Sequence, residues 1–296
     1  QGDGGEPPAG SETLVEALRD LAAQANQPPA KHAGGALMRD AGLKDTPEAA
    51  LGLLLKRGIV APDVNLLLIR YDMERPFSAT VEAEADTLAL APRSTVDRED
   101  LRHLRPVAID DPGTTEVDDA LSFERLPAGG VRVGIHLAEP GAIVPCGSAV
   151  DREASRRQTT LYLPDGKRLM IPGALSENAA SLLPGADRLA LSVLVDLDDQ
   201  GSWLAARMCR STIRVDRAMS YEAADEALAR DDDLCALVEL AEGLRDQRLA
   251  GGALDTRVPE VNPALSADGR VTLSGITGNS RSRAMVAEWA VRANEV

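Results

Sequence analysis

The apolar positions fall into two regimes along the chain. Between residues 11 and 75 they recur every three or four residues, which is helical spacing. Leu14, Leu18 and Leu21 form one such stripe, opened by Thr13-x-x-Glu16, the sequence form of a capping box, and stopped by Pro28 and Pro29. Thr46 then stands as an N-cap with Pro47 at the first helical position of a helix carrying Leu51, Leu54 and Leu55 to Gly58. Asp63 caps a third, bearing Leu66, Leu67 and Ile69. Short helices joined by tight turns point to a helix-turn-helix or winged-helix-like module, with a plain helical adaptor as the alternative. Ahead of it, residues 1–10 are rich in Gly and Pro and read as a disordered tail.

From about residue 76 the period changes. Residues 77–81 read as a strand, and 101–104 as a short polar helix or turn. Residues 120–126 and 131–138 form a hairpin across 127–130, and 189–197 pairs with 203–213 across 198–201. Helices follow over 221–230 and 234–249, the latter capped by Asp233 and closed by Gly251-Gly252. A last one runs over 283–296 and stops in mid-helix. The expected class is α+β: a mixed or antiparallel, β-barrel-like domain with surrounding helices over 76–296, after the small helical module of 11–75.

Composition narrows the chemistry. Of 296 residues 44% are apolar and 27% charged, which suits a folded chain, and no apolar run approaches the ~20 residues of a membrane span. No membrane partner and a cytoplasmic location are therefore expected. Cys146, Cys209 and Cys235 make no CxxC, and His32, His103 and His136 are scattered, so neither a disulfide framework nor a Cys/His metal cluster is indicated. His136 ends an apolar strand and reads as a satisfied core histidine. The net charge of −15 argues against a broadly basic nucleic-acid surface but permits a local basic groove. Only four of the 32 cationic residues are Lys; Arg suits bidentate phosphate contacts, although GC-rich coding gives the same bias. Carboxylates are left as the reactive groups.

They concentrate in Val107-Ala-Ile-Asp110-Asp111-Pro-Gly-Thr-Thr-Glu116-Val-Asp118-Asp119-Ala120, five acids in ten residues behind a short apolar strand. Pro112 and Gly113 force a turn that folds the two ends together. Carboxylates packed so closely repel, and a hard cation relieves the repulsion; all-oxygen donors suit Mg²⁺ or Mn²⁺. The pattern is not an EF-hand, since Gly is absent from its sixth position and Leu121 stands at its twelfth. A solvated acidic loop is the plain alternative, but apolar residues bound the run on both sides.

The run resembles the metal motif of the ribonuclease II / ribonuclease R (RNB) exoribonuclease family, which ends in the paired aspartates seen here as Asp118-Asp119. The resemblance continues through Ile135-His-Leu-Ala138, Ser148 to Pro164, Met170-Ile-Pro172, Leu175-Ser176-Glu177, Ser181 to Ser192, Ser211 to Tyr221 and Met285 to Asn294, in the family's order over about 100–296. It implies a Mg²⁺-dependent enzyme that degrades single-stranded RNA processively from the 3′ end to nucleoside 5′-monophosphates. Asp110, Glu116, Asp118 and Asp119 fall on the family's four acidic positions. Relatives carry aspartate where Glu116 stands, and the extra methylene shifts the metal's position or occupancy. Tyr162 falls on an aromatic position that stacks a base near the 3′ end, which suits sequence-tolerant binding. Tyr221 and Glu288 fall on positions beside the terminal nucleotide that favour ribose.

The plain readings of these three are a half-buried strand residue, a helix-start packing residue and a solvent-facing helix residue. Arg152, Arg156 and Arg157, with Lys167-Arg168 beyond, form a candidate phosphate-tracking strip, against which stand salt bridges to Glu153. The family's upstream cold-shock-type barrels are replaced here by helices. Its transition-state arginine lies beyond Val296, so the chain alone is expected to be inactive and to need that further segment. A non-catalytic nucleic-acid-binding regulator, or a nuclease of altered substrate, are the rival functions.

Overall fold

A computed structural model describes residues 10–23, 33–71, 73, 75–254, 261–266, 269–275 and 280–296. Two compact units divide at Phe77 and Ser78. The first contains α1 (Glu12–Ala23), α2 (Ala33–Asp40), α3 (Pro47–Lys56) and α4 (Leu66–Arg70), with no strand among its described residues. Thr46 caps α3 as the sequence suggests, its hydroxyl accepting from the Ala49 amide at 3.2 Å. The capping box does not start α1: the Leu14 amide bonds the Ser11 carbonyl, so Thr13 already lies within the first turn. Asn65 rather than Asp63 caps α4, because its side chain reaches the Leu67 amide at 3.0 Å. The core of this unit is Leu21, Met38, Leu54 and Val60. Gly34 lets α2 approach α1 closely, since a Cβ there would meet the Ala17 carbonyl oxygen at 2.1 Å. Of the tail expected over 1–10 only Gly10, in a turn, is described; its residues 1–9 and the stop at Pro28-Pro29 lie outside the described residues.

The second unit opens with α5 (Ala79–Leu90) where a strand was expected over 77–81. The Ser78 hydroxyl accepts from the Val81 amide at 3.3 Å, and the alanine-rich run that follows outweighs the β-branched Thr80 and Val81. Residues 101–104 form turns.

Seven strands build the main sheet: β1 (Glu99–Asp100), β2 (Val107–Asp110), β3 (Asp119–Arg125), β4 (Val131–Ala138), β7 (Asp187–Leu197), β8 (Trp203–Arg214) and β9 (Arg217–Ser220). Between β4 and β7 lie α6 (Ala149–Arg157) and a small separate hairpin, β5 (Leu161–Leu163) with β6 (Gly166–Arg168). The sheet order is β1-β8-β7-β4-β3-β2-β9, so the described strands make an open mixed sheet rather than a closed ring. β1–β8 and β2–β9 are parallel pairs; the others are antiparallel. Both hairpins read from the sequence form.

The sheet is covered on both faces, which is why its central strands read as nearly continuous apolar runs. One face, with Val133, Ile135, Val193 and Val195, packs on α8 (Asp232–Ala250) and α9 (Arg281–Ala293) through Leu237, Val238 and Trp289. The other carries Ala108, Ala120, Ala190, Leu194 and Ile213 against Leu101, Leu104 and Leu182. His136 is fully buried there, bonded to Ser122 at 2.9 Å and Ser192 at 2.7 Å, and burial lowers its pKa to about 4.

α7 (Tyr221–Ala227) links β9 to α8, which Asp231 caps instead of Asp233. α9 starts at a Ser280 cap and closes at Ala293 with Asn294 as its C-cap, rather than running on through 296. A two-stranded ladder, β10 (Val261–Leu265) with β11 (Val271–Gly275), precedes α9. No described helix is long and apolar enough to cross a membrane.

Candidate active site

The acidic run lies at one end of the sheet, and topology puts it there. β2 and β9 run parallel while β3 runs antiparallel to β2, so the end of β2, the start of β3 and the end of β9 coincide. Asp110 closes β2, Asp119 opens β3, and Asp110 stands in register with Ser220, directly before Tyr221. The turn between the strands has Pro112 at its second position and Gly113, with φ +84°, at its third, closed by the Thr114 amide on the Asp111 carbonyl at 3.1 Å. Gly tolerates that left-handed backbone without strain. The returning arm is stitched down. The Val117 amide donates to Ser181 Oγ at 2.9 Å, Leu182 donates to the Val117 carbonyl at 2.9 Å, and Ala138 donates to the Asp118 carbonyl at 2.8 Å.

Crowding shows in the protonation of the aspartates. Burial, then the charge of Asp110 and Asp118, raises Asp119 to about 6. Burial, Glu116 and Asp110 push Asp118 upward. Tyr221 is raised to about 12, first by burial and then by Asp110, while Arg283 acts against the shift. Asp110 and Asp119 thus share one electrostatic neighbourhood with Tyr221, and Asp118 acts on Asp119 from beside them. Among the described residues, no group of three or more His, Cys, Asp or Glu stands ready to hold a metal ion. Their chemistry nonetheless suits a hard cation: an oxygen-only donor set, partly buried, whose charges already oppose one another.

Glu116 is committed differently. Its Oε2 accepts from the Tyr162 hydroxyl at 3.0 Å and lies 3.5 Å from Lys167 Nζ. Tyr162 sits on β5 with its residue 68% exposed, and its phenol is raised to about 12 by desolvation and by the Glu116 bond. The sequence reading missed Lys167 and Glu177 as neighbours of the acidic turn, where they meet Thr115. Lys167 donates to Thr115 Oγ1 at 2.8 Å and Glu177 Oε1 at 3.2 Å, and Thr115 donates to the same Glu177 oxygen at 2.6 Å. Arg283, also missed, lies over the Tyr221 ring and pairs with Asp111. Contacts of such sequence separation leave no local signal.

The remaining candidates are placed elsewhere. Glu288 is 2% exposed on α9, neither solvent-facing nor bonded to the acidic turn; its partners are Arg248, at 3.2 and 2.7 Å, and Arg292 at 3.4 Å. Arg156 and Arg157 both converge on Glu153 at 2.6 and 2.7 Å, and the Arg157 side chain is 3% exposed, also donating to the Leu169 carbonyl. Arg152 is exposed and bonds the Gly147 carbonyl. The expected basic strip is therefore interrupted at Arg157, which acts as an internal strut.

Residues 98–296 match the RNB domain, and residues 1–66 match the double HTH domain of ribonuclease II. The chain belongs to the RNB family. It is 35% identical over 250 residues to an uncharacterized ribonuclease of Synechocystis, covering 82% of this chain and 37% of that protein. It is 34% identical over 248 residues to ribonuclease R of Thermotoga maritima, covering 79% and 35%. The chain thus spans little more than a third of these relatives. In fold it resembles Mycoplasma genitalium RNase R solved with ribose-methylated single-stranded RNA, at a TM-score of 0.69 and 20% identity over 78% of this chain and 39% of that one. It also resembles yeast Ssd1, described as a pseudonuclease, at a TM-score of 0.53 and 20% identity over 74% and 26%. The RNB-type α+β fold and the helix-turn-helix identity of the first unit follow; the winged alternative shows no described strand to form its wing.

Proposed function

We propose that this chain carries the metal- and RNA-binding part of a hydrolytic exoribonuclease that acts 3′→5′ on single-stranded RNA and releases nucleoside 5′-monophosphates. The observation that carries the reading is the gathering of Asp110, Asp119 and Tyr221 where β2, β3 and β9 meet, with Asp118 beside them; burial first, and then the neighbouring carboxylates, raise two of the aspartates. Membership of a family whose named relatives are ribonucleases supports it.

In this reading Asp110, Asp118 and Asp119 hold Mg²⁺ or Mn²⁺, which when bound supplies charge neutralisation at the scissile phosphate and an activated water. The exposed ring of Tyr162 offers a stacking face that accepts any base, worth ~1–3 kcal/mol per base. Tyr221 packs beside the aspartates under Arg283, whose cation is held by Asp111. Arg152 and Arg156 are exposed on α6 and offer phosphate contacts, Arg156 from its pair with Glu153.

Incubating the full-length enzyme, of which this chain is the metal- and RNA-binding part, with end-labelled single-stranded RNA and Mg²⁺ tests this. Laddering to mononucleotide is expected; a shifted band with no product defeats it. That second outcome is the non-catalytic binder, which the engagement of Glu116 by Tyr162 and Lys167 favours, because it withdraws one of the four acids from the cluster.

A further inference from the structure

The β5–β6 hairpin stands apart from the main sheet, and an isolated two-stranded ladder of three residue pairs is marginal in water. Something must hold it in place. Tyr162 and Lys167 are directly opposite each other in its register, so their side chains share one face. Both reach the same atom, Glu116 Oε2, across the gap to the acidic turn. Lys167 completes the link through Thr115 and Glu177, and its ammonium stands 5.8 Å from the centre of the Tyr162 ring. The Glu116 side chain is only 9% exposed, so the carboxylate that receives both contacts is held in place, although its partners reach it from the solvent side.

We propose that Glu116 is a positioning residue: together with Lys167 it latches the β5–β6 hairpin to the acidic turn and sets where the Tyr162 ring stands, while Asp110, Asp118 and Asp119 make up the metal set. This inference rests on the nuclease reading above for what the ring does, and on the hydrogen-bond geometry alone for what holds it. The extra methylene of glutamate over aspartate is the length that reaches the Tyr162 hydroxyl.

The test uses the full 296-residue chain with Glu116→Ala, Glu116→Asp, Tyr162→Phe and Asp118→Asn. Hydrogen exchange of the amides over 161–168 reads the latch without metal or RNA. Glu116→Ala, Glu116→Asp and Tyr162→Phe should all speed it, and combining Glu116→Ala with Tyr162→Phe should add little to either alone. Affinity for a single-stranded oligoribonucleotide carrying 2-aminopurine near its 3′ end should fall about tenfold in the same variants, as expected for loss of a charge-assisted bond.

Mn²⁺ binding followed by electron paramagnetic resonance should weaken less than about tenfold in Glu116→Ala and far more in Asp118→Asn. Unchanged exchange in Tyr162→Phe, or loss of Mn²⁺ from Glu116→Ala as complete as from Asp118→Asn, overturns the latch. Retention of Mn²⁺ by Asp118→Asn overturns the metal reading of the aspartates instead, and the hairpin exchange then still decides the role of Glu116.

Discussion

The guanidinium carbon of Arg283 lies 3.9 Å from the centre of the Tyr221 ring. The same side chain pairs with Asp111, so the first turn of α9 is tied at once to the start of α7 and to the acidic turn. Two cation contacts thereby converge where the carboxylate charge is densest. Arg283 also offsets part of the push that Asp110 exerts on the Tyr221 phenol.

Arg283→Ala should therefore act on both charge and packing. The ion pair is partly exposed on each side, which limits its worth, and the cation–π contact adds ~0.5–2 kcal/mol. Urea unfolding should show a loss of about 1 kcal/mol, with RNA affinity reduced as well. A variant as stable as the parent would show that the ring contact contributes nothing.

Asp118→Asn separates metal binding from RNA binding. In the full-length enzyme, cleavage of single-stranded RNA should disappear while a gel shift with the same RNA persists. Ligand linkage supplies an independent readout: Mg²⁺ at about 100 times its dissociation constant should stabilise the parent by ~2.7 kcal/mol and the variant by far less. Equal Mg²⁺-induced shifts in melting temperature for both proteins would remove Asp118 from the metal set.

Glu288 has a different consequence from the one its sequence position suggests. Its carboxylate is held by Arg248 and Arg292 in the α8–α9 interface, so truncation leaves two cations facing a buried void. Glu288→Ala should cost about 3 kcal/mol, the usual scale for breaking one side of a buried pair. Sugar selectivity is then best read in Glu288→Gln of the full-length enzyme, comparing cleavage of matched RNA and DNA oligomers after the melting curve confirms folding. A Glu288→Ala protein as stable as the parent would contradict the structural role.

The pattern of what the sequence disclosed follows from range. The hairpin of β3 and β4, the Thr46 cap and the Pro112-Gly113 turn depend on residues within a few positions of each other, and local chemistry decides them. So does the burial of His136, which ends an apolar strand. Where two local signals competed, the weaker cue misled: β-branched Thr80 and Val81 suggested a strand, but a serine cap and an alanine-rich stretch made α5. The carboxylates were legible because five fall in one turn. Lys167 and Glu177 were not, since they meet Thr115 across 52 and 62 residues through a hairpin and a turn that the sequence does not place. Arg157 and Glu288 looked like surface residues because a charged side chain gives no hint of a buried partner until the chain is folded.

Two groups, one half-buried and one fully buried, titrate in overlapping windows with opposite effects on stability. Asp119 is raised from 3.8 to about 6, so the folded state holds its proton more tightly than the unfolded chain does. Its contribution is fully present below pH 4 and is lost as pH rises through 6, about 3 kcal/mol in the absence of metal. His136 is lowered from 6.5 to about 4, so the unfolded chain takes up the proton first. Its contribution is present above pH 6.5 and is lost as pH falls toward 4, again about 3 kcal/mol. The two slopes oppose each other, and their sum should be nearly flat between pH 4 and 6.

Single substitutions expose each slope. In Asp119→Asn the remaining histidine should make metal-free unfolding free energy fall on acidification across that interval. In His136→Gln, which keeps polar partners for Ser122 and Ser192, the remaining aspartate should make it rise. Urea titrations at half-unit pH steps in the presence of a chelator distinguish these cases. Parallel profiles for the two variants would mean that neither group carries the linkage assigned to it.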